Sequence, residues 1–166
     1  MDYLKVKTGL NLGILDKDEV VYLERIPSPD IPDNYFHIGR RVPVYCTALG
    51  KVLLAFQSHL KQEEIIKNIE LKKYTQNTII DKKILKKEIE DIFSNGYAVD
   101  NFEYMISVKC FAMPIFGRSG ALMAAISISN RSITNEFEKN MDRYTEELSK
   151  TADKISNGMG YSIYNP

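Results

Sequence analysis

Two cysteines, two histidines and a glycine-lysine turn are the residues in this chain with the most reactive chemistry to offer. Cys46 or Cys110 would need a base at hydrogen-bond reach to act as a nucleophile, and only His37 and His59 could supply it. No spacing fixes such a pair and no third, orienting group stands out. Both histidines are isolated, which fits surface or edge positions better than catalysis. The same four residues lack the spacing of a metal site. Gly50-Lys51 is not a nucleotide loop, because no glycine-rich run precedes it. What remains is the turn itself. An extended run from Gly39 ends at Cys46-Thr47-Ala48-Leu49-Gly50, and a helix then runs through Ala55. The start of that helix offers unpaired N–H groups and a partial positive charge, a seat for a carboxylate or phosphate.

The elements that must hold this turn can be read around it. Leu10, Leu12 and Ile14 alternate with Asn11 and Gly13, a strand signal. Asp16-Lys17-Asp18 reads as the turn into a return strand over Glu19–Ile26, with Val20, Tyr22 and Ile26 on one face and Val21 and Leu23 on the other. Pro27, Pro29 and Pro32 remove ladder donors, so 27–34 is a loop able to cover a pocket. Tyr35 to Val44 is expected to be extended. Thr47 caps the buried helix, Ser58 a second one, and Asp81 a third with Ile84, Leu85, Ile89, Ile92 and Phe93 inward, closed by Asn95-Gly96. Tyr97–Asp100 is a short strand and 101–109 is irregular. Cys110–Phe116 and Ala121–Ser129 form a hairpin around Gly117-Arg118-Ser119-Gly120, apolar enough to be covered on both faces. A last helix over about 135–155 carries the stripe Phe137, Met141, Tyr144, Leu148, Ala152, Ile155 and Met159, which fits packing on a sheet or on a second subunit. Strands joined by tight turns, with helices on their faces, predict an α+β architecture.

Composition narrows the function classes. Lysine plus arginine and aspartate plus glutamate both number 22 in 166 residues, so the chain lacks the basic excess of a nucleic-acid-binding module. A hydrophobic fraction of 44% and a charged fraction of 27% suit one globular domain over residues 1–166. No apolar run reaches membrane-span length and no signal peptide opens the chain, so a cytoplasmic protein without membrane association is expected.

The stretch Gly39–Ala55 resembles the signature of the effector-binding domain of IclR-type transcriptional regulators. The match continues through Thr78-Ile79-Ile80-Asp81 and Leu85, then Gly96-Tyr97-Ala98-Val99-Asp100 and Glu103. It extends to Cys110-Phe111-Ala112-Met113-Pro114-Ile115 and Ala124-Ala125-Ile126-Ser127-Ile128-Ser129. The resemblance implies a GAF-like fold, an antiparallel sheet flanked by helices, in a ligand-responsive regulator. Its DNA-binding part would be an N-terminal winged helix-turn-helix that this chain lacks. It implies a pocket of Thr47, Ala48, Leu49 and Gly50 on the turn, facing Asp100, Val108, Cys110, Ser127 and Ser129. Backbone donors, hydroxyls, a thiol and one carboxylate suit a small organic acid or sugar acid. The resemblance also implies a homodimer or homotetramer, no cofactor and no enzyme activity. Ser107 stands where a glycine is common and Met113 where a small residue is common, and both changes bear on pocket shape. The alternatives are a GAF-type redox enzyme using Cys110 and Cys46, and an interaction module without a ligand. Lys51 is read as a solvated or ion-paired lysine.

Overall fold

A computed structural model describes residues 8–31, 36–131 and 136–162, apart from the side chains of Glu136 and Phe137. Pro32, Asp33 and Asn34 of the proline-rich loop, Tyr35 and Asn135 lie outside the described residues. Six strands, β1 (Thr8–Asp16), β2 (Glu19–Ile26), β3 (Arg41–Pro43), β4 (Ala98–Asn101), β5 (Val108–Phe116) and β6 (Leu122–Arg131), form one antiparallel sheet in the order β3-β2-β1-β6-β5-β4. Helix α1 (Ala48–Ala55) lies on one face, with α2 (His59–Asn68) and α3 (Lys82–Asn95) stacked outside it. Helices α4 (Glu136–Lys139) and α5 (Met141–Gly158) follow β6, and α5 packs on the other face. This is the α+β, GAF-like sheet flanked by helices that the chain's turn signals predict.

The expected caps form. Thr47, Ser58 and Asp81 each accept a hydrogen bond from the first turn of their helices, and Gly96 closes α3 at φ +83°. All eight residues of α1 are buried, so its packing rather than its propensity holds it. Each fully buried valine or leucine there contributes on the order of 2 kcal/mol of transfer free energy. Strands β5 and β6 are covered on both faces, by α1 and α5, as their continuous apolar runs require.

Several local expectations are corrected. The run 35–44 is not extended throughout: Gly39 turns at φ +82° and only Arg41–Pro43 pairs in the sheet. Ile26 does not share the face of Val20 and Tyr22. Gly13 pairs with Tyr22 but Leu12 pairs with Glu24, so Leu23 is a bulge that turns the rest of β2 over. Val108 and Lys109 belong to β5, which starts two residues earlier than its apolar run. On α3, Leu85, Ile89 and Ile92 are buried, whereas Ile84 and Phe93 are each 60% exposed. The terminal helix breaks at Asn140, which has no side-chain cap. Its stripe keeps Leu148 and Ala152 but continues at buried Ser156, whose hydroxyl accepts the Phe116 N–H at 3.0 Å, leaving Ile155 and Met159 part-exposed.

Candidate functional site

The sheet face under α1 is paved with small and polar residues. Strand register puts Asp100, Cys110, Ser129 and Gly9 in one cross-strand row, and Ala98, Ala112, Ser127 and Asn11 in the next. Pro114, Ala125, Gly13 and Tyr22 form a third. Gly13 lets α1 approach: a Cβ there would stand 2.9 Å from Val20 Cγ1 and 3.3 Å from Leu49 Cδ1. Leucines 10 and 12 point the other way, into the layer under α5. A short-side-chain floor beneath a helix start leaves a gap that large residues would fill.

That gap is lined by Thr47, Ala48, Leu49, Asp100, Val108, Cys110 and Ser127, joined by Tyr22, Phe36, Tyr104 and Met105. It is tight: only about 10 Å³ is open to the centre of a water-sized sphere, room for about one water molecule. Gly50 and Ser129, expected with the others, do not line it. Gly50 is a packing residue, since a Cβ there would lie 2.3 Å from the Val44 carbonyl oxygen. Ser129 belongs to the floor beside Cys110, outside the gap's lining, and donates to the Gly9 carbonyl at 3.4 Å. Met113 faces α5 on the opposite side of the sheet and does not shape the cavity.

The α1 terminus is partly spent. Thr47 Oγ1 accepts the Gly50 N–H at 3.1 Å and donates to the Pro43 carbonyl at 3.0 Å. The Lys51 N–H bonds the Thr47 carbonyl. The N–H groups of Ala48 and Leu49 remain without a partner among the described residues, and both residues line the gap.

Opposite lies a charged cluster. Asp100 is 3% exposed and its Oδ1 accepts the Glu103 N–H at 2.7 Å. Burial, reinforced by the Glu103 carboxylate, pushes the Asp100 carboxyl up to about 7 despite that bond. Glu103 Oε1 accepts Lys51 Nζ at 2.7 Å, and Glu88 Oε1 accepts the same ammonium at 2.9 Å. Burial disfavours the Lys51 charge, yet the carboxylates of Glu103 and Glu88 outweigh it and raise its pKa. Lys51 is therefore ion-paired, and fully buried. Thr78 Oγ1 donates to the Glu103 carbonyl and Thr75 Oγ1 to the Phe102 carbonyl, both at 2.6 Å, which clamps this wall to the connector before α3.

Two further groups were not legible as site residues. Asn11 Nδ2 donates to both Ser127 and Ser129 hydroxyls at 3.3 Å. Tyr22, 3% exposed, stacks on Phe36 with ring centroids 5.6 Å apart. A lone polar residue in the apolar alternation of β1 was the signal for Asn11. For Tyr22 there was none, because β2 alone does not tell which of its faces is enclosed.

The cysteines are not poised for redox or acyl chemistry. Both are buried and free, and burial, followed by the charges of Asp100 and Glu103, raises both thiol pKa values. His37 and His59 are exposed, whereas both cysteines are buried, and among the described residues His37 Nδ1 meets its neighbour's carbonyl. Among the described residues no group of three or more metal-ligating side chains converges. No described helix is long and apolar enough to cross a membrane. Two larger grooves, about 450 and 390 Å³, are open surface features, the first between β5 and α5 and the second beside Thr75, Phe102 and Ser107.

Comparison with known proteins places this arrangement. The family described as Bacterial transcriptional regulator IclR C-terminal matches residues 2–157. The HTH-type transcriptional regulator KdgR of Escherichia coli is 37% identical over 158 residues, covering 95% of this chain and 60% of that protein. The chain thus spans somewhat over half the length of that relative. The crystal structure of the C-terminal domain of E. coli KdgR superposes with a TM-score of 0.84 at 36% identity, over 96% of this chain and 91% of that one. The PobR inducer-binding domain from Acinetobacter, a double mutant in complex with 3-hydroxybenzoic acid, superposes with a TM-score of 0.79 at 27% identity, over 89% of this chain and 86% of that one.

Proposed function

We infer the function from one premise: this chain belongs to the IclR family of bacterial transcriptional regulators, whose C-terminal domain it matches, and its relatives are regulators rather than enzymes. Residues 1–166 act as one effector-binding domain. A small anionic metabolite, a keto, hydroxy or sugar acid, sits between the α1 terminus and the sheet. In the longer protein it controls DNA binding by an N-terminal winged helix-turn-helix, in a cytoplasmic homodimer or homotetramer.

The observation that carries this reading is convergence. Four strands and one helix start deliver Tyr22, Asp100, Cys110, Ser127 and the free Ala48 and Leu49 N–H groups to one enclosed gap. Enclosed polar capacity of this kind is what orients a small ligand. The N–H pair receives the carboxylate. Asp100 receives a donor, or carries a proton beside the anion. Thr47, Val108 and Leu49 supply apolar contact, with Gly50 seating the helix and Ser129 beside Cys110 in the floor. The complex of the PobR domain with a hydroxylated acid agrees with this chemistry.

A gap sized for one water is smaller than any organic acid, so binding must move Phe36, Tyr104 or Met105. That displacement is the difference between states that a sensor needs: a ligand shifts an equilibrium only by its differential affinity. Displacement of Phe36, which lines the gap and packs on Tyr22, is the route by which the shift leaves the site. A thermal-shift screen of keto, hydroxy and sugar acids tests the reading. Stabilisation by at least one, weakened in Asp100→Ala and Ser127→Ala, is expected. A broad screen without any stabilisation would overturn it.

A further inference from the structure

The gap holds hydrogen-bonding capacity that the fold itself does not use. Among the described residues the Tyr22 hydroxyl has no hydrogen-bond partner, although Tyr22 is 3% exposed and lines the gap. Its hydroxyl feels Cys110, Tyr104 and Asp100 and bonds none of them. Burial first, then those neighbours, raises the phenol pKa, so it stays a donor at neutral pH. Ser127 is 2% exposed; its Oγ accepts from Asn11 Nδ2, and its own proton goes to no acceptor described. Asn11 is 3% exposed, and with its Nδ2 spent on two serines its Oδ1 accepts nothing described. A buried polar group without a partner costs about 1–3 kcal/mol. The Tyr22 hydroxyl, which lines the gap without a partner among the described residues, is poorly explained by packing, since phenylalanine would fill the same volume.

We propose that Tyr22 and the Asn11–Ser127 pair are a second pole of the effector site that reads a hydroxyl or keto oxygen carried away from the carboxylate. Tyr22 donates to that oxygen. Ser127, held in place from behind by Asn11, donates or accepts. The Ala48 and Leu49 N–H groups take the carboxylate at the other end. Plain aliphatic or aromatic acids are rejected, because they leave these donors desolvated and unpaired. The inference rests on the sensing reading above and adds the specificity to it. Asn11 acts as a positioning residue, through Ser127.

The test uses matched acids by calorimetry: butanoate with 4-hydroxybutanoate, hexanoate with gluconate, benzoate with 3-hydroxybenzoate. At least one oxygenated member is expected to bind tenfold or more tighter than its plain partner, with Tyr22→Phe or Ser127→Ala narrowing that gap to about threefold or less. Equal binding within every pair, or a gap that survives both substitutions, overturns this inference and leaves the sensing reading intact. Binding of no acid at all overturns both. A ligand-free measurement stands beside these. Tyr22→Phe should melt at or above the wild-type temperature, because it removes a hydroxyl with no partner. A clearly lower melting temperature would reveal a structural role for that hydroxyl and overturn its assignment to a ligand.

Discussion

Lys51 Nζ lies 2.7 Å from Glu103 Oε1, with the two side chains 0% and 7% exposed. A buried pair of this kind is weakly stabilising as a whole and strongly destabilising when halved. Lys51→Met is therefore expected to cost about 3–5 kcal/mol in urea unfolding. Most of that loss should return in Lys51→Met/Glu103→Leu, because the second change removes the stranded carboxylate. A Lys51→Met protein as stable as wild type would show that the pair is not closed in solution.

Asp100 links stability to pH. Its folded pKa of about 7 lies above the ordinary value near 4. Folding thus favours the protonated form: the contribution is fully present below about pH 4 and is lost as pH rises through about 7. The whole effect is about 4 kcal/mol at most. Asp100→Asn cannot ionise, and its amide oxygen can still accept the Glu103 N–H. Its stability advantage over wild type should grow between pH 5 and pH 8 in denaturant titrations. A constant difference would mean that Asp100 titrates normally.

Ser107 adopts φ +70°, a conformation that glycine enters without strain. Ser107→Gly should be neutral or stabilise by about 0.5 kcal/mol, the relief of strain being offset by unfolded-chain entropy. Ser107→Val should destabilise by about 1–2 kcal/mol. Melting temperatures that rank the two in the opposite order would contradict the turn geometry.

Gly50→Ala tests the seating of α1. The added methyl would lie 2.3 Å from the Val44 carbonyl oxygen and 2.6 Å from Val44 Cα, both backbone atoms that cannot swing aside. A loss of about 3 kcal/mol or more is expected, above ordinary overpacking. Wild-type stability by chemical denaturation would contradict the close approach.

Cys46 and Cys110 should be inert to a thiol reagent in the native state and react only on unfolding, as burial and raised thiol pKa values require. Rapid native labelling of either would reopen the redox reading.

Local chemistry made much of this protein legible from its residues alone. Thr47, Asp81 and Gly96 mark helix ends because capping is settled within a few residues of the chain. The Gly117–Gly120 hairpin and the doubly covered β5 and β6 follow from turn chemistry and unbroken apolar runs. Ordered motifs from Gly39 to Ser129 carried the family resemblance and named most of the cavity lining. What tertiary structure alone decided depends on neighbours far apart in the chain. Asn11 meets Ser127 and Ser129 only because β1 lies beside β6, which sets it 3.3 Å from hydroxyls more than a hundred residues away. The bulge at Leu23 decides that Tyr22 faces the gap while Ile26 faces the opposite side. Lys51 reads in sequence as a solvated or ion-paired lysine, and packing decides for the pair by enclosing it against Glu103. Gly50 reads in sequence as part of the pocket, and the close approach of the Val44 backbone is what requires a glycine there. The division has a physical cause: caps and turns are satisfied by adjacent backbone, whereas burial, register and charge pairing are set by whatever the fold brings alongside.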